Sequence, residues 1–340
     1  MSSVASGTSA DLSSKAVGGV GGVQPVTRVR PSRWAIIAAF AVIYLVWGST
    51  FLGIRIAVES IPPLIMAGGR FTLAGIILLL IAQRAAPVPL VAPGLFLGAT
   101  KRQWGSAIIT GALFFFGNHS LVSTAAKYIP SGLSSLIIAT EVPIIAVLSS
   151  LLLVNQPLTR RAIIGAVLGI AGVLWLFISQ QSHGASGLLL PSLAILGASI
   201  SWSFGAVLSQ RLDLPSHALR RAGMQMTCGG LLLCIASLVM GEPMHMSLAA
   251  ITMRSALSLV YLIFIGSVLA FACYTWLMKH VRTDAVSTHV FVNPLVAVAL
   301  GAWLAGERFE SAYLVAGVLI LCSVCVINMR ASKNEPDAVE

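Results

Sequence analysis

The 340-residue chain is 57% hydrophobic and only 9% charged, with a mean hydropathy of +0.93. So little charge cannot coat a soluble globule of this size, and the composition requires a polytopic membrane protein. The net charge of +10 lies mostly in the tails and in short loops between apolar runs, where it reads as a topology signal and not as a nucleic-acid surface.

Residues 1–33 are rich in Ser, Gly, Ala and Val and carry no periodicity that a core could use, so a disordered cytoplasmic tail is expected. The first apolar run begins only at Trp34 and is full length, so no cleaved secretory leader is expected. Ten apolar segments follow, at about 34–54, 64–83, 104–126, 131–154, 162–179, 188–210, 222–241, 255–278, 285–305 and 311–329. Each is close to the ~20 residues that a helix needs to cross hydrocarbon. In lipid a run of this length has no sensible conformation but the helix. Residues 330–340 form a second short cytoplasmic tail.

With the N-terminus inside, only Arg55, Lys127, Arg254 and Arg308 fall in the outer loops and Arg70 falls within a helix; the rest of the 21 Lys and Arg are cytoplasmic. That bias calls for an even number of spans with both termini inside. The chain also echoes itself. A shift of 151 residues places Pro143 on Pro294 and Gln156 on Glu307, and a shift of 155 places Trp47 on Trp202. Each half holds five spans, an odd number, so the halves cross with opposite polarity. The expected fold is all-α: ten transmembrane helices in two inverted five-helix repeats, 34–179 and 187–329, with a binding cavity between them.

The fourth segment, SGLSSLIIATEVPIIAVLSSLLLV, carries one carboxylate, Glu141, roughly 15 Å from its outer start and so near the bilayer midplane. A charge there is costly and must face the protein interior, and Pro143 weakens the backbone ladder at the same depth. Arg70 lies roughly 9 Å below the same face, and either pairs with Glu141 or snorkels to the surface. Aromatic and polar residues supply candidate solute contacts: Tyr44 and Trp47 on one face of the first helix, Asn118 and His119 in the third, Trp202 and Ser203 in the sixth, Tyr274 in the eighth, and His289 with Asn293 just before Pro294 in the ninth. Gly165 and Gly169 allow close helix contact, expected against the tenth helix at Gly317 and not across a dimer.

The stretches YLVWGSTFLGIRIAVESIPPLIMAGGRFTLAGIILLL, GNHSLVSTAAKYIPSGLSSLIIATEVPIIAVLSSLL and NPLVAVALGAWLAGERFESAYLVAGVLI resemble EamA-type members of the drug/metabolite transporter superfamily. The resemblance runs from Trp34 to Asn328. It implies ten helices in two inverted repeats and export of small metabolites such as amino acids across the cell inner membrane. The acidic residue usual in the family after the ninth helix is Glu307, read here as a surface position; the first repeat has Gln156 instead.

No metal-ligand cluster, Walker loop or H-E-x-x-H is present, so no metal or other cofactor is expected. The expected partners are a small-molecule substrate and the bilayer, with a monomer preferred over a dimer. Coupling to protons or passive carriage of other metabolites or drugs is the alternative. A remote one is an intramembrane serine protease, suggested by Gly184-Ala185-Ser186-Gly187; the surface position of that motif and the number of spans argue against an enzyme.

Overall fold

A computed structural model describes residues 31–89, 91–92, 95–153, 158–182, 186–307 and 311–328. Nearly all of both expected tails, together with Gln156 and Gly184-Ala185, lies outside the described residues. Eight helices are long and apolar enough to cross a bilayer: α1 Arg33–Ala57, α2 Pro63–Ala85, α3 Lys101–Ala125, α4 Ser131–Leu152, α5 Arg160–Ser182, α6 Leu189–Leu208, α7 Ala218–Val239 and α8 Met253–His280. Two shorter apolar helices follow, α9 His289–Ala305 and α10 Ser311–Asn328. The 17 residues of α9 span about 26 Å, short of the hydrocarbon thickness. A separate turn of helix, Thr283–Val286, precedes α9 where the sequence suggested one continuous helix. The α2–α3 connection holds a meander of two-residue strands, β1 Val91–Ala92, β2 Leu95–Phe96 and β3 Ala99–Thr100, antiparallel in the order β1-β2-β3. Apolar patterning gave no hint of it.

The helices pack mainly between the two halves of the chain. Antiparallel α2 and α7 approach through glycines: a Cβ at Gly68 would lie 3.0 Å from the Cys234 nitrogen, and one at Gly223 would lie 2.9 Å from the Gly75 carbonyl oxygen. In α5 and α10, likewise antiparallel, Gly165 faces Ile327 and Ser323 while Gly172 faces Ile320 and Ala316. The expected α5–α10 contact therefore forms, with Gly169 against Ser323 of α10 as well as Pro143 of α4, but Gly317 sits against Leu136 of α4. Parallel α1 and α9 meet at Gly48 and Asn293, and parallel α4 and α6 meet where Ser199 Oγ donates to the Ile137 carbonyl. Exchanging each helix for the one five positions along the chain maps these contacts onto one another. Two π-helical turns obey the same exchange: Ala112–Gly117 in α3 and Leu262–Leu269 in α8 begin at equivalent places. Such turns widen a helix locally and tend to mark functional sites.

Helix α4 breaks at Ala139-Thr140, so its halves are Ser131–Ile138 and Glu141–Leu152. Pro143 has no N–H to return to the Ala139 carbonyl, which instead accepts a long 3.4 Å bond from Val142 N. Helix α9 continues unbroken through Pro294.

The end of the bundle where α1 finishes is held shut by carboxylates from the second half. After α9, Gly306 takes a left-handed conformation, φ 61°, and turns Glu307 back across Gly301. The Glu307 side chain is only 6% exposed; it meets Arg55 Nη1 at 2.6 Å and accepts from Ser131 N and Ser131 Oγ, each at 3.0 Å. It thus caps the N-terminus of α4, where a negative charge also meets the helix dipole. The surface position expected from the sequence is a buried junction. The same device recurs after α7: Gly241, φ 71°, precedes Glu242, whose carboxylate accepts from Leu64 N and Ile65 N at the start of α2. Thr252 N donates to Ser60 Oγ, and Ser255 and Ser258 donate to the α1 carbonyls of Ile56 and Gly53.

Removing the carboxylate should leave Arg55 and three α4 donors, Ser131 N, Ser131 Oγ and Gly132 N, without their acceptor. Glu307→Ala is expected to cost on the order of 3 kcal/mol, read as a lower unfolding midpoint in detergent, with Glu307→Gln intermediate.

Candidate functional site

Between the halves lies a cavity of about 810 Å³. It runs from Thr159, Arg221 and Asn328, at the end opposite the Glu307 junction, past Thr50, Arg70 and Phe115 to Ile54 and Val122, within a turn of the ends of α1 and α3. The junction residues Arg55, Ser131 and Glu307 are not part of its lining, which gives it the form of a vestibule beginning at the other end.

Two aromatic clusters make the walls. On one side Trp47 of α1 sits edge-on to Phe271 at 5.5 Å and to His289 at 4.8 Å, with Tyr274 at 5.3 Å. On the other, Trp202 of α6 meets Phe114 of α3 edge-on at 4.6 Å and Phe115 at 6.4 Å. Phe71 and His119 extend that wall, their rings 4.3 Å apart. The π turn of α3 carries Phe114 and Phe115, and Phe271 lies just past the π turn of α8, so the widened turns are where the aromatic lining gathers. Tilted and edge-on contacts hold the rings without filling the space between the clusters.

Eight residues singled out from the sequence line this cavity: Trp47, Asn118, His119, Glu141, Trp202, Tyr274, His289 and Asn293. Tyr44 and Ser203 are not among its lining. The Tyr44 hydroxyl is hydrogen-bonded to Thr288 Oγ1 and joins α1 to the turn before α9. Ser203 is fully buried and donates to the Ser199 carbonyl at 2.7 Å and to the Glu141 carbonyl at 3.3 Å. Its hydroxyl, with that of Ser199, serves backbone carbonyls around the α4 break. Asn118 is partly committed to structure as well, since Nδ2 donates to the Ala198 carbonyl at 2.9 Å.

The polar groups left over are the informative ones. Glu141, in the first turn after the α4 break, is half-buried against the cavity and takes part in neither of the ion pairs found among the described residues, Arg55–Glu307 and Arg254–Glu59. Asn293 Oδ1 and His119 Nδ1 are buried without a hydrogen-bond partner. The Arg70–Glu141 pair considered from the sequence is absent, and Arg70 does not snorkel: it is 5% exposed and lines the cavity. Sequence reasoning missed Phe71, Phe115, Phe271 and Gln225. Gln225 is buried in α7, lines the cavity and donates to Thr110 Oγ1 at 2.9 Å. A lone amide within an apolar span was the available signal for it.

Two stretches, residues 33–178 and 189–329, match the EamA-like transporter family. The chain is 34% identical over 294 residues to "Uncharacterized inner membrane transporter YedA" of Escherichia coli (strain K12), covering 86% of this chain and 90% of that protein. It is 28% identical to "Probable amino-acid metabolite efflux pump" of Salmonella typhimurium (strain LT2), covering 84% and 91%. A solved crystal structure, 20% identical with a TM-score of 0.58, covers 88% of this chain and 99% of its own and shares the fold.

Accessibility separates lining from packing. In a cysteine-free background, Glu141→Cys and Asn293→Cys are expected to react with a small water-soluble thiol reagent, whereas Ser203→Cys stays unmodified at least tenfold longer, measured by mass shift.

Proposed function

Because the chain belongs to the EamA-like transporter family, a family of membrane transporters and not of enzymes, we propose that it is an inner-membrane carrier that exports small amphipathic or aromatic metabolites, amino acids among them. The observation that carries this reading is the cavity between the two halves, closed at the Glu307 junction and lined by two tryptophan clusters with an uncommitted carboxylate. An aromatic body can lie between Trp47 and Trp202 while Glu141, Asn118 and Asn293 meet its polar groups.

The transport cycle is alternating access. The loop charges favour both termini in the cytoplasm, with ten spans of which α9 and α10 are the two shortest. The antiparallel contacts α2–α7 and α5–α10 and the matched π turns favour an inverted relation between the halves. In that frame the vestibule faces the cytoplasm, and solute leaves when the halves rock and part at the Glu307 and Glu242 caps. The name of the Salmonella relative supports amino-acid metabolites as the substrate class. Glu141 favours proton coupling as the driving force, because a carboxylate without a fixed partner is free to change its protonation during the cycle.

Flux in reconstituted liposomes across a panel of amino acids and amphipathic drugs tests both parts, with and without a pH gradient. Wild-type flux should follow the gradient, and Glu141→Gln should abolish that dependence while solute still moves. Flux that ignores pH in both proteins assigns passive carriage. Trp47→Ala and Trp202→Ala should each lower aromatic-solute flux roughly tenfold, and unchanged flux would remove the stacking role.

A further inference from the structure

Among the described residues Arg70 is a buried cation with no ion pair. Of the five N–H donors of its guanidinium, only Nε has an acceptor, Ser267 Oγ at 3.0 Å in the π turn of α8. The guanidinium carbon lies 4.6 Å over the Phe71 ring, and Nη1 is buried with no hydrogen-bond partner. Its neighbours are thus a hydroxyl, a ring and the Gly266 backbone, where a Cβ would lie 3.6 Å from Nη2. A cation held at this depth with one neutral hydrogen bond and one ring contact lacks its counter-charge. Nε is bonded to Ser267, and Phe71 supports one face, while the residue lines the cavity with its buried Nη1 still without an acceptor.

We propose that Arg70 is the anion-recognition group of the cavity, and that the transported solute presents a carboxylate to its Nη atoms. This rests on the carrier reading above and narrows the substrate to carboxylate-bearing compounds with an aromatic or apolar body. Phe71 lies under the guanidinium, and Phe115 and His119, whose rings pack on Phe71, continue the aromatic wall of the same cavity. The planar fork suits a carboxylate, gives an ester only a neutral carbonyl contact without charge assistance, and repels an ammonium. Glu141 lines the same cavity without pairing with Arg70, so a solute carrying an ammonium as well as a carboxylate finds an unpaired carboxyl group for the one and a guanidinium for the other.

The test uses matched solutes: phenylalanine, 3-phenylpropionate, phenylalanine methyl ester and phenethylamine. Binding is read in detergent by tryptophan fluorescence and transport is read in proteoliposomes. Wild type should bind the two carboxylates at least tenfold tighter than the ester and the amine. Arg70→Gln should shrink that preference to about threefold or less, and Arg70→Lys should keep an intermediate value. A structural role for Arg70 would change yield or unfolding midpoint but not the preference. Equal binding of all four solutes by wild type, binding of none, or an undiminished preference in Arg70→Gln overturns the assignment. Where Arg70→Gln fails to fold, the wild-type panel still decides, with Ser267→Ala expected to weaken carboxylate binding selectively. Carboxylate binding without flux would instead sink the carrier reading and leave Arg70 as a binding residue.

Discussion

Hydrocarbon offers a backbone N–H or C=O no water to bond, so every irregular place in this bundle needs an internal partner. The exceptions to straight helix follow that constraint. At the α4 break the released carbonyl of Ala139 takes Val142 N, and the hydroxyls of Thr140, Ser199 and Ser203 gather on the carbonyls around it. The N–H groups at the starts of α2 and α4, which have no partner within their own helix, donate to the carboxylates of Glu242 and Glu307. Irregular backbone survives where it is satisfied in this way, and the cavity lies beside the break because only there can a helix open without meeting lipid.

That accounting separates polar groups with structural duties from those with none. Ser199, Ser203 and Asn118 are tied to neighbouring backbone. Arg55 and Glu307 hold each other and a helix end. Around the cavity, the groups with bonding capacity unspent include Glu141, Arg70 Nη1, Asn293 Oδ1 and His119 Nδ1. Their chemistry spans both charges and both hydrogen-bonding senses, while the aromatic clusters keep the intervening wall apolar. Site and scaffold are thus distinguished by satisfaction and not by residue type.

Much of this was legible in the sequence because hydropathy reports lipid contact directly. The ten apolar runs coincide with the helices to within a few residues, and Glu141, Trp47 and Trp202 were visible as unusual residues at mid-depth. Residues whose meaning depends on a distant partner were harder to read. Glu307 follows a helix and so looked like surface, because nothing local shows that Gly306 folds it back under Ser131. Ser203 looked like a lining residue because its acceptors lie on its own helix and on α4. Arg70 invited pairing with Glu141 by depth alone, whereas angular position about the bundle axis, which depth does not encode, decides which groups meet. Phe71 and Phe115 are ordinary apolar residues in apolar helices, and only the π turn and the packing turn them to the cavity.

The two glycine-glutamate turns have a consequence for the covalent plan of the molecule. Both carboxylates, Glu242 and Glu307, come from the second half, and both helix ends that they cap belong to the first. The halves resemble each other in shape, yet at this end one is donor and the other recipient. Two copies of the first half alone could copy the outline of the bundle but would present bare helix ends where the carboxylates belong. Joining unlike halves in one polypeptide supplies each α2 and α4 terminus with its cap at a fixed ratio of one to one, a pairing that a symmetric dimer of either half could not guarantee.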